Sequence, residues 1–376
     1  MKSPSSNRHS PSTKQPKVAI VCDWLTQIGG AEQVVLALHQ MYPEAPIYTS
    51  QYDPDKIDWF TDADVRTTWL QKLPASLRKF MPVLRAFAFS RLDLSDYDVV
   101  ISSAGAEAKF IKTGANTKHI SYIHAPTHYY WARYDQYMSH PGFGKLNWLA
   151  RLGLRTLVGP LRKLDYKMAQ RPHVLLANST HTKNMIKKYY DRDSVVVHPP
   201  VQVANFQPPT ANHPKTRSGF VAIGRQVPYK NIHLAVKACT NLGLKLTVVG
   251  NGPEHERLVA MAGETIEFPE NVDDEQKIAL LQRSEGLIFP NCDDFGITAV
   301  EALASGTPVI ALKAGGALDW LTEGENGIYF EQENARSLAG ALQSFSATKF
   351  TRKAIQESAN RYSVTRFKDA IKEIIQ

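Results

Sequence analysis

The stretch LIFPNCDDFGITAVEALASGTPVIAL, residues 287–312, decides the fold. Two short apolar runs, LIFP and PVIAL, enclose the helical pattern TAVEALASG, and this strand–helix–strand order is typical of a parallel sheet covered by helices. Two adjacent acids, Asp293 and Asp294, follow the first strand. Because α/β proteins bind ligands at the carboxyl ends of their strands, this loop is a candidate binding site.

The same alternation of apolar runs and helical patterns fills the rest of the chain. Further strands are predicted in the second half at 220–224, 245–250, 265–268 and 328–330, and in the first half at 18–24, 45–50, 96–103, 118–125, 173–179 and 195–200. The fold class is therefore α/β, with two doubly wound, Rossmann-like domains that face each other across a deep cleft.

Chain length and local composition predict where the domains begin and end. A chain of 376 residues is too long for one ordinary core. The proline-rich turn near residue 199 separates an N-terminal domain, 18–198, from a C-terminal domain, 199–362, and an amphipathic helix at 363–376 is expected to pack back on the first domain. Residues 1–17 are rich in Ser, Pro, Lys and Arg and lack a secretory apolar stretch, so they predict a disordered basic tail.

Composition excludes several classes of protein. The three cysteines are widely separated, which argues against a disulfide framework or a zinc site and favours a reducing, cytoplasmic compartment. No apolar run approaches the length of a membrane span. The net charge of +8 arises in the first half, which favours an anionic partner there. Nucleic acid is not expected, because no base-reading module is recognisable.

Two loops carry groups suited to phosphate. Gly29 and Gly30 lie between a strand and a helix, where backbone N–H groups can approach an anion, although an ordinary tight turn explains them equally well. Arg225 and Lys230 follow another strand and suit a diphosphate, or are solvated surface charges. The GxGxxG fingerprint is absent, so no nicotinamide site is predicted.

The acidic loop has two interpretations. Thr298 and Glu301 have the spacing of a capping box, in which the threonine caps the helix and the glutamate reaches back. Alternatively, Asp293 and Glu301, which are eight residues apart, bind hydroxyls at the two ends of a nucleotide-sugar, since a carboxylate accepts two hydrogen bonds.

Taken together, these segments resemble retaining glycosyltransferases of the GT-B fold, family four. The resemblance rests on the following segments, in this order: VAIVCDWLTQIGGAEQVVLAL, YIHAPTHYYWARYD, LLANSTHTKNMI, VVVHPPV, AIGRQVPYKNIHLAVKA, VVGNGPE and DDFGITAVEALASGTPVIALKAGG. The GGAE, YKN and DFGITAVEA versions are most similar to bacterial mannosyltransferases that build polysaccharides on lipid carriers. The family usually has Glu where Asp293 stands, so either the loop lies further inward or Asp294 shares the task.

The resemblance implies catalytic roles for five residues. His124 contacts the transferred sugar and the acceptor side of the cleft, and Arg225 and Lys230 neutralise the leaving diphosphate. Asp293 binds hydroxyls of the donor sugar, and Glu301 binds the ribose.

The resemblance also implies a substrate-binding set around these five. Gly29 and Gly30 approach the donor phosphates, and the backbone of Phe295, Gly296 and Ile297, with Asp294 and Thr298 beside it, holds sugar and phosphate. The backbone from Phe268 to Val272 meets the base. No cofactor and no metal are expected, because side-chain cations take the role of the metal.

The acceptor is predicted from the basic first half. Residues 141–164 and 69–92 contain Lys and Arg interleaved with Leu and Trp and no acid, a pattern of helices that lie in a membrane interface, although an ordinary helix with a solvated basic face is also compatible. Mannose transfer from GDP-mannose to a lipid-linked or saccharide acceptor is therefore expected, peripherally at the inner face of the plasma membrane. Two alternatives stay open: a soluble enzyme that uses a UDP-sugar and a small anionic acceptor, and a non-catalytic nucleotide-sugar-binding scaffold.

Overall fold

A computed structural model describes residues 16–74, 81–139, 144, 147–207, 216–269 and 272–376. Most of the predicted basic tail, Lys145 and residues 75–80 of the first basic stretch therefore lie outside the described residues. So do residues 270–271 of the predicted base-binding segment. The described strands form two parallel sheets, which confirms the predicted α/β architecture.

The first sheet has seven described strands in the order β3-β2-β1-β4-β5-β6-β7. They are β1 Val18–Cys22, β2 Ile47–Thr49, β3 Val65–Thr67, β4 Val99–Ala104, β5 Lys118–Ile123, β6 Val174–Ala177 and β7 Val195–Val196. Helices α1 Gly30–Met41, α2 Pro82–Arg91, α3 Tyr134–Ser139, α4 Asn147–Ala169 and α5 Thr180–Tyr190 accompany them. The strand order reverses between β1 and β4, where an open parallel sheet forms its ligand crevice.

The second sheet has six described strands in the order β10-β9-β8-β11-β12-β13. They are β8 Phe220–Ile223, β9 Leu246–Val249, β10 Ile266–Glu267, β11 Gly286–Phe289, β12 Val309–Leu312 and β13 Gly327–Phe330. The helices are α6 Val203–Phe206, α7 Ile232–Leu242, α8 His255–Ala260, α9 Asp274–Arg283, α10 Ile297–Ala304, α11 Ala317–Trp320, α12 Ala335–Ser344, α13 Arg352–Ala359 and α14 Val364–Ile375. Here the order reverses between β8 and β11.

Strand β1 illustrates how helices cover both faces of a sheet. Ile20 and Cys22 belong to the core that includes α1 and α14, whereas Ala19 and Val21 belong to the core on the opposite face. All five residues of β1 are buried. This burial on two sides explains why the strands read as continuous apolar runs rather than as alternating patterns.

The sequence pattern does not predict β3. Its three residues, Val65, Arg66 and Thr67, are half-buried or exposed because the strand lies at the edge of the sheet. One apolar residue is too weak a signal to mark a strand.

The terminal helix α14 returns to the first sheet. Phe367 and Ile371 are buried in the core of that sheet, and the Phe367 ring lies 5.9 Å from the Tyr122 ring, edge to face. The Lys118 ammonium donates to the carbonyls of Ile374 and Ile375 at 2.7 and 2.9 Å. The end of the chain thus helps to stabilise the domain in which the chain begins.

The predicted capping box at the start of α10 is wrong. Gly296, with φ of 95°, occupies the N-cap position, and no side chain accepts a hydrogen bond there. A left-handed backbone suits glycine, and a Cβ at this position would lie 2.7 Å from the Phe289 ring. Glu301 instead extends its side chain towards Lys277.

In the described part of the chain, no helix is both long and apolar enough to span a bilayer.

Truncating Phe367 tests the contribution of α14. Phe367→Ala is expected to lower the free energy of unfolding by about 3–5 kcal/mol, because the ring is buried and leaves a cavity. Glu373→Ala on the exposed face of the same helix should change it by about 0.5 kcal/mol or less. Urea unfolding followed by circular dichroism measures both, and equal effects would contradict the packing described.

Candidate functional site

The carboxyl ends of strands from both sheets face each other, and one contact shows how closely. Gly30 at the start of α1 and Ile297 at the start of α10 belong to different sheets. A Cβ built on Gly30 would lie 2.6 Å from Cδ1 of Ile297. The glycine pair and the acidic loop, which the sequence singled out separately, are therefore brought together.

The loop after β5, residues 124–133, is anchored through its aromatic side chains. The hydroxyls of Tyr129 and Tyr130 donate to Oε1 of Glu107 at 2.6 and 3.3 Å, and Arg85 donates to Oε2 at 2.8 Å. Glu107 is fully buried, so its charge depends on these donors.

A second buried acid holds the same loop from beneath α4. Trp131 Nε1 and the Tyr190 hydroxyl both donate to Oδ2 of Asp165 at 2.7 Å. Lys109 pairs with Oδ1 at 2.7 Å, and its side chain is buried as completely as that of Asp165. The loop is thus tied to the domain core by ionic and polar contacts at two points.

His124 stands at the first position of this loop. Its Nε2 lies 2.8 Å from Ser103 Oγ, and its carbonyl accepts from Asn178 Nδ2 at 2.9 Å. Burial lowers the pKa of His124 to about 4, against the opposing charge of Asp294. The ring is therefore neutral at neutral pH and can exchange a hydrogen bond without carrying charge.

The two adjacent acids have different partners. Asp293 forms an ion pair with Lys230, and Arg133 Nη2 lies 3.9 Å from its Oδ1. Asp294 accepts from His128 Nε2 at 2.8 Å. Burial alone would raise the pKa of Asp294, but the adjacent His128, helped by Arg133, lowers it to about 2. Both carboxylates therefore reach across to the first domain, and the Asp294 contact is the tight one.

The cations of the β8–α7 loop surround a tyrosine ring. Arg225 donates to the Tyr229 hydroxyl at 3.3 Å, and the Lys230 ammonium lies 5.7 Å from the Tyr229 ring centre. Together with the Lys230–Asp293 pair, this brings the two predicted diphosphate ligands to one side of the cleft.

His128 and Arg133 were missed from the sequence. Both lie in the segment YIHAPTHYYWARYD, which the analysis quoted only for its resemblance and for His124. Their sequence signal is that they are polar residues in a strand-end loop, the position where such residues carry function.

Glu301 is positioned apart from the two aspartates. Its side chain is 9% exposed, and Lys277 Nζ lies 3.4 Å from its Oε2. Burial raises the pKa of Glu301, while Lys277 opposes that shift. No contact among the described residues joins Glu301 to Asp293, so the two acids are available to different parts of an extended ligand.

The remaining predicted residues divide between backbone and core. Phe295 is buried, and its carbonyl accepts from Trp320 Nε1 at 2.6 Å, while Thr298 lies half-buried in the first turn of α10. Phe268 packs on one core of the second sheet and Val272 on the other. The structure thus keeps the predicted base-binding pair on separate faces of that sheet.

Comparison with known proteins identifies the C-terminal half. Residues 204–362 match the family model described as Glycosyl transferases group 1. D-rhamnosyltransferase WbpZ of Pseudomonas aeruginosa is 27% identical over 45% of this chain and 46% of its own length. Alpha-1,3/1,6-mannosyltransferase ALG2 of Rhizomucor pusillus is 22% identical over 90% of this chain and 86% of its own length. With the first of these relatives, the chain aligns over less than half of the relative's length.

A solved structure extends the comparison to the whole fold. Anabaena Alr3699/HepE, in complex with UDP and glucose, superposes with a TM-score of 0.69 at 17% identity, covering 96% of this chain and 99% of that one. This confirms the predicted GT-B fold, and with the family match it confirms the predicted resemblance to family four.

The buried histidines predict a loss of stability in weak acid. Burial lowers the pKa of His119 to about 3 and that of His124 to about 4. Below an unfolded pKa of about 6.5, the unfolded chain takes up protons that the folded chain refuses. Stability present at pH 7 should therefore fall between pH 6.5 and 5, with a slope approaching about 1.4 kcal/mol per pH unit for each histidine.

Two measurements check this expectation. Urea unfolding at several pH values gives the slope, which His124→Gln should reduce. NMR titration of the His124 ring is the direct observation, and a midpoint near 6.5 would contradict the burial described.

Proposed function

From a group 1 glycosyltransferase domain at residues 204–362 within a GT-B fold, we propose that the chain is a retaining glycosyltransferase. It transfers a hexose, mannose from GDP-mannose, to a lipid-linked or saccharide acceptor in cell-surface polysaccharide biosynthesis. One observation carries the proposal: Lys230, the acids at 293 and 294, and His128 meet where the strand ends of the two sheets face each other.

The donor binds along the edge of the second sheet. Arg225 and Lys230 bind the diphosphate, because charge-assisted hydrogen bonds to phosphate are strong. Asp293 accepts hydrogen bonds from hydroxyls of the sugar, and Glu301 from the ribose. The separation of these two acids supports a ligand that extends from sugar to nucleoside.

The first domain contributes to the reacting end. Gly29 and Gly30 approach the phosphates at the start of α1, where the backbone N–H groups of a helix are unpaired. His124, which is neutral because of its burial, is positioned to hydrogen-bond the transferred sugar without attracting the diphosphate away from Lys230.

Transfer proceeds on one face of the sugar. The bond from the anomeric carbon to the phosphate oxygen breaks, and the acceptor hydroxyl oxygen bonds to the same carbon from the same side. The proton of that hydroxyl passes to the departing phosphate oxygen. The protein stabilises the negative charge that grows on the diphosphate, through Arg225 and Lys230.

Mannose is proposed on the resemblance and on one relative. The mannosyltransferase ALG2 aligns over 90% of the chain. At 22% identity the support is for the class of sugar donor and not for its linkage.

A lipid-linked acceptor is supported by the first half of α4. Between Asn147 and Leu157 no residue is buried, and Trp148, Leu149 and Leu152 are 63%, 48% and 51% exposed. Arg151 and Arg155 lie on the same stretch, which contains no acid. Exposed apolar side chains among arginines suit the interface of an anionic membrane, at which a lipid-linked acceptor is held.

Nucleotide binding tests the proposed reaction. GDP and GDP-mannose are expected to raise the melting temperature by several degrees at saturating concentration, since a ligand of the folded state stabilises it by mass action. Glu301→Gln should weaken binding roughly tenfold, because a hydrogen bond to a charged group is lost. Glu275→Gln, at an exposed position on α9, is the matched control.

Each outcome of the titration has a definite meaning. A preference for UDP and UDP-sugars would overturn mannose and retain the reaction. No response to any nucleotide or nucleotide-sugar would overturn the enzyme and favour a protein with another ligand.

Vesicle binding tests the membrane contact. The chain is expected to sediment with vesicles that contain phosphatidylglycerol and not with phosphatidylcholine alone. Leu149→Gln with Leu152→Gln should lower the partition constant more than tenfold, because two apolar side chains leave the interface. Leu318→Gln, an equally exposed leucine on the second domain, should leave it unchanged. Equal sedimentation of all variants would refute docking through α4.

A further inference from the structure

Arg133 is a mostly buried cation at the end of the anchored loop, directly before α3. Its side chain is 16% exposed. The guanidinium carbon lies 4.2 Å from the centre of the Tyr229 ring, which belongs to the second domain. Arg133 thus extends from the first domain into the cation cluster of the β8–α7 loop.

The hydrogen-bonding donors of Arg133 are poorly used. Among the described residues, the guanidinium makes no hydrogen bond, and its ion pair with Asp293 is loose at 3.9 Å. Arg85 of the same domain is buried to a similar degree but donates to Glu107 at 2.8 Å. A guanidinium has five donors, and burying it without tight partners is costly. The structure therefore maintains a cation ready to bind an anion.

Three cations converge on this part of the cleft. Arg225 contacts the hydroxyl of Tyr229, Arg133 lies over its ring, and Lys230 lies beside it. Asp293 is the acid that Arg133 and Lys230 share. Asp294, the other acid of the loop, is already hydrogen-bonded to His128. Positive charge therefore exceeds negative charge around Tyr229, which favours a ligand with more than one negative charge.

We infer that Arg133 is a third diphosphate-binding residue, supplied to the donor site by the first domain. The inference rests on the proposed function and deepens it. Arg225 and Lys230 hold the diphosphate on the second domain, and Arg133 donates to the same phosphate oxygens from across the cleft. Because Arg133 reaches the diphosphate only when the two domains face each other closely, donor binding and domain closure are coupled.

The inference assigns Arg133 to phosphate and not to the nucleoside. The experiment is therefore isothermal calorimetry with GDP and with GMP on the full chain. Arg133→Met is expected to weaken GDP binding roughly tenfold or more and GMP binding about twofold or less, because only the second phosphate loses a charge-assisted partner. The selectivity for GDP over GMP should fall accordingly.

Three further variants separate charge from folding. Arg133→Lys retains the charge without the planar fork and should restore part of the selectivity. Lys230→Met, in the expected diphosphate site, should lower selectivity in the same way. Arg66→Met, at an exposed arginine paired with Asp64 on the edge strand β3, should leave both affinities unchanged.

The outcomes distinguish this inference from the proposed function. Unchanged GDP/GMP selectivity in Arg133→Met, with Lys230→Met impaired, would overturn the role of Arg133 and leave the donor site intact. Equal weakening of GDP and GMP would also overturn it, since that result indicates a structural role. Absence of nucleotide binding by the unsubstituted chain, with either guanine or uracil, would overturn the proposed function itself.

Discussion

The position of the loop after β5 depends on two carboxylates buried beneath it. Glu107 and Asp165 are fully buried, and each is paired with a cation, Arg85 and Lys109 respectively. Breaking such a pair leaves an uncompensated charge and typically costs about 3–5 kcal/mol. The aromatic residues of the loop complete the hydrogen bonding of both acids, so the loop cannot shift without exposing that cost.

The opposing loop is fixed by a different physical means. The loop at residues 293–296 lies directly on Gly315 and Gly316, and a Cβ on Gly316 would lie 2.4 Å from the Cα of Phe295. The Gly316 N–H donates to the Asp293 carbonyl at 2.8 Å. Close backbone packing therefore holds this side, and buried ionic pairs hold the other. Two rigid loops that meet across a cleft can change their separation only by movement of whole domains.

The sequence predicted those features that depend on local pattern. The strands of both sheets, the cap of α5 at Ser179 and the terminal helix α14 follow from periodicity and from capping residues. The cap of α10 could not be predicted, because Gly296 takes that position through its contact with the Phe289 ring, a residue on another element. His128 and Arg133 were missed for the same reason: each acquires its significance from an acid that lies more than a hundred residues away in the sequence and is brought near by the facing of two sheets.

The facing of the sheets also bears on how a shorter acid can serve at position 293. Sequence reasoning left two options, a loop that lies further inward or a task shared with Asp294. Asp294 is engaged by His128 of the first domain, and no phosphate ligand competes for that histidine in the proposed arrangement. Asp293 is paired with Lys230, which the diphosphate requires. When a diphosphate binds Lys230, the carboxylate of Asp293 is released towards the sugar, while Asp294 continues to link the domains. The two acids thus favour separate duties, contact with the donor at position 293 and domain contact at position 294, and the inward displacement of Asp293 by its cations compensates for the missing methylene.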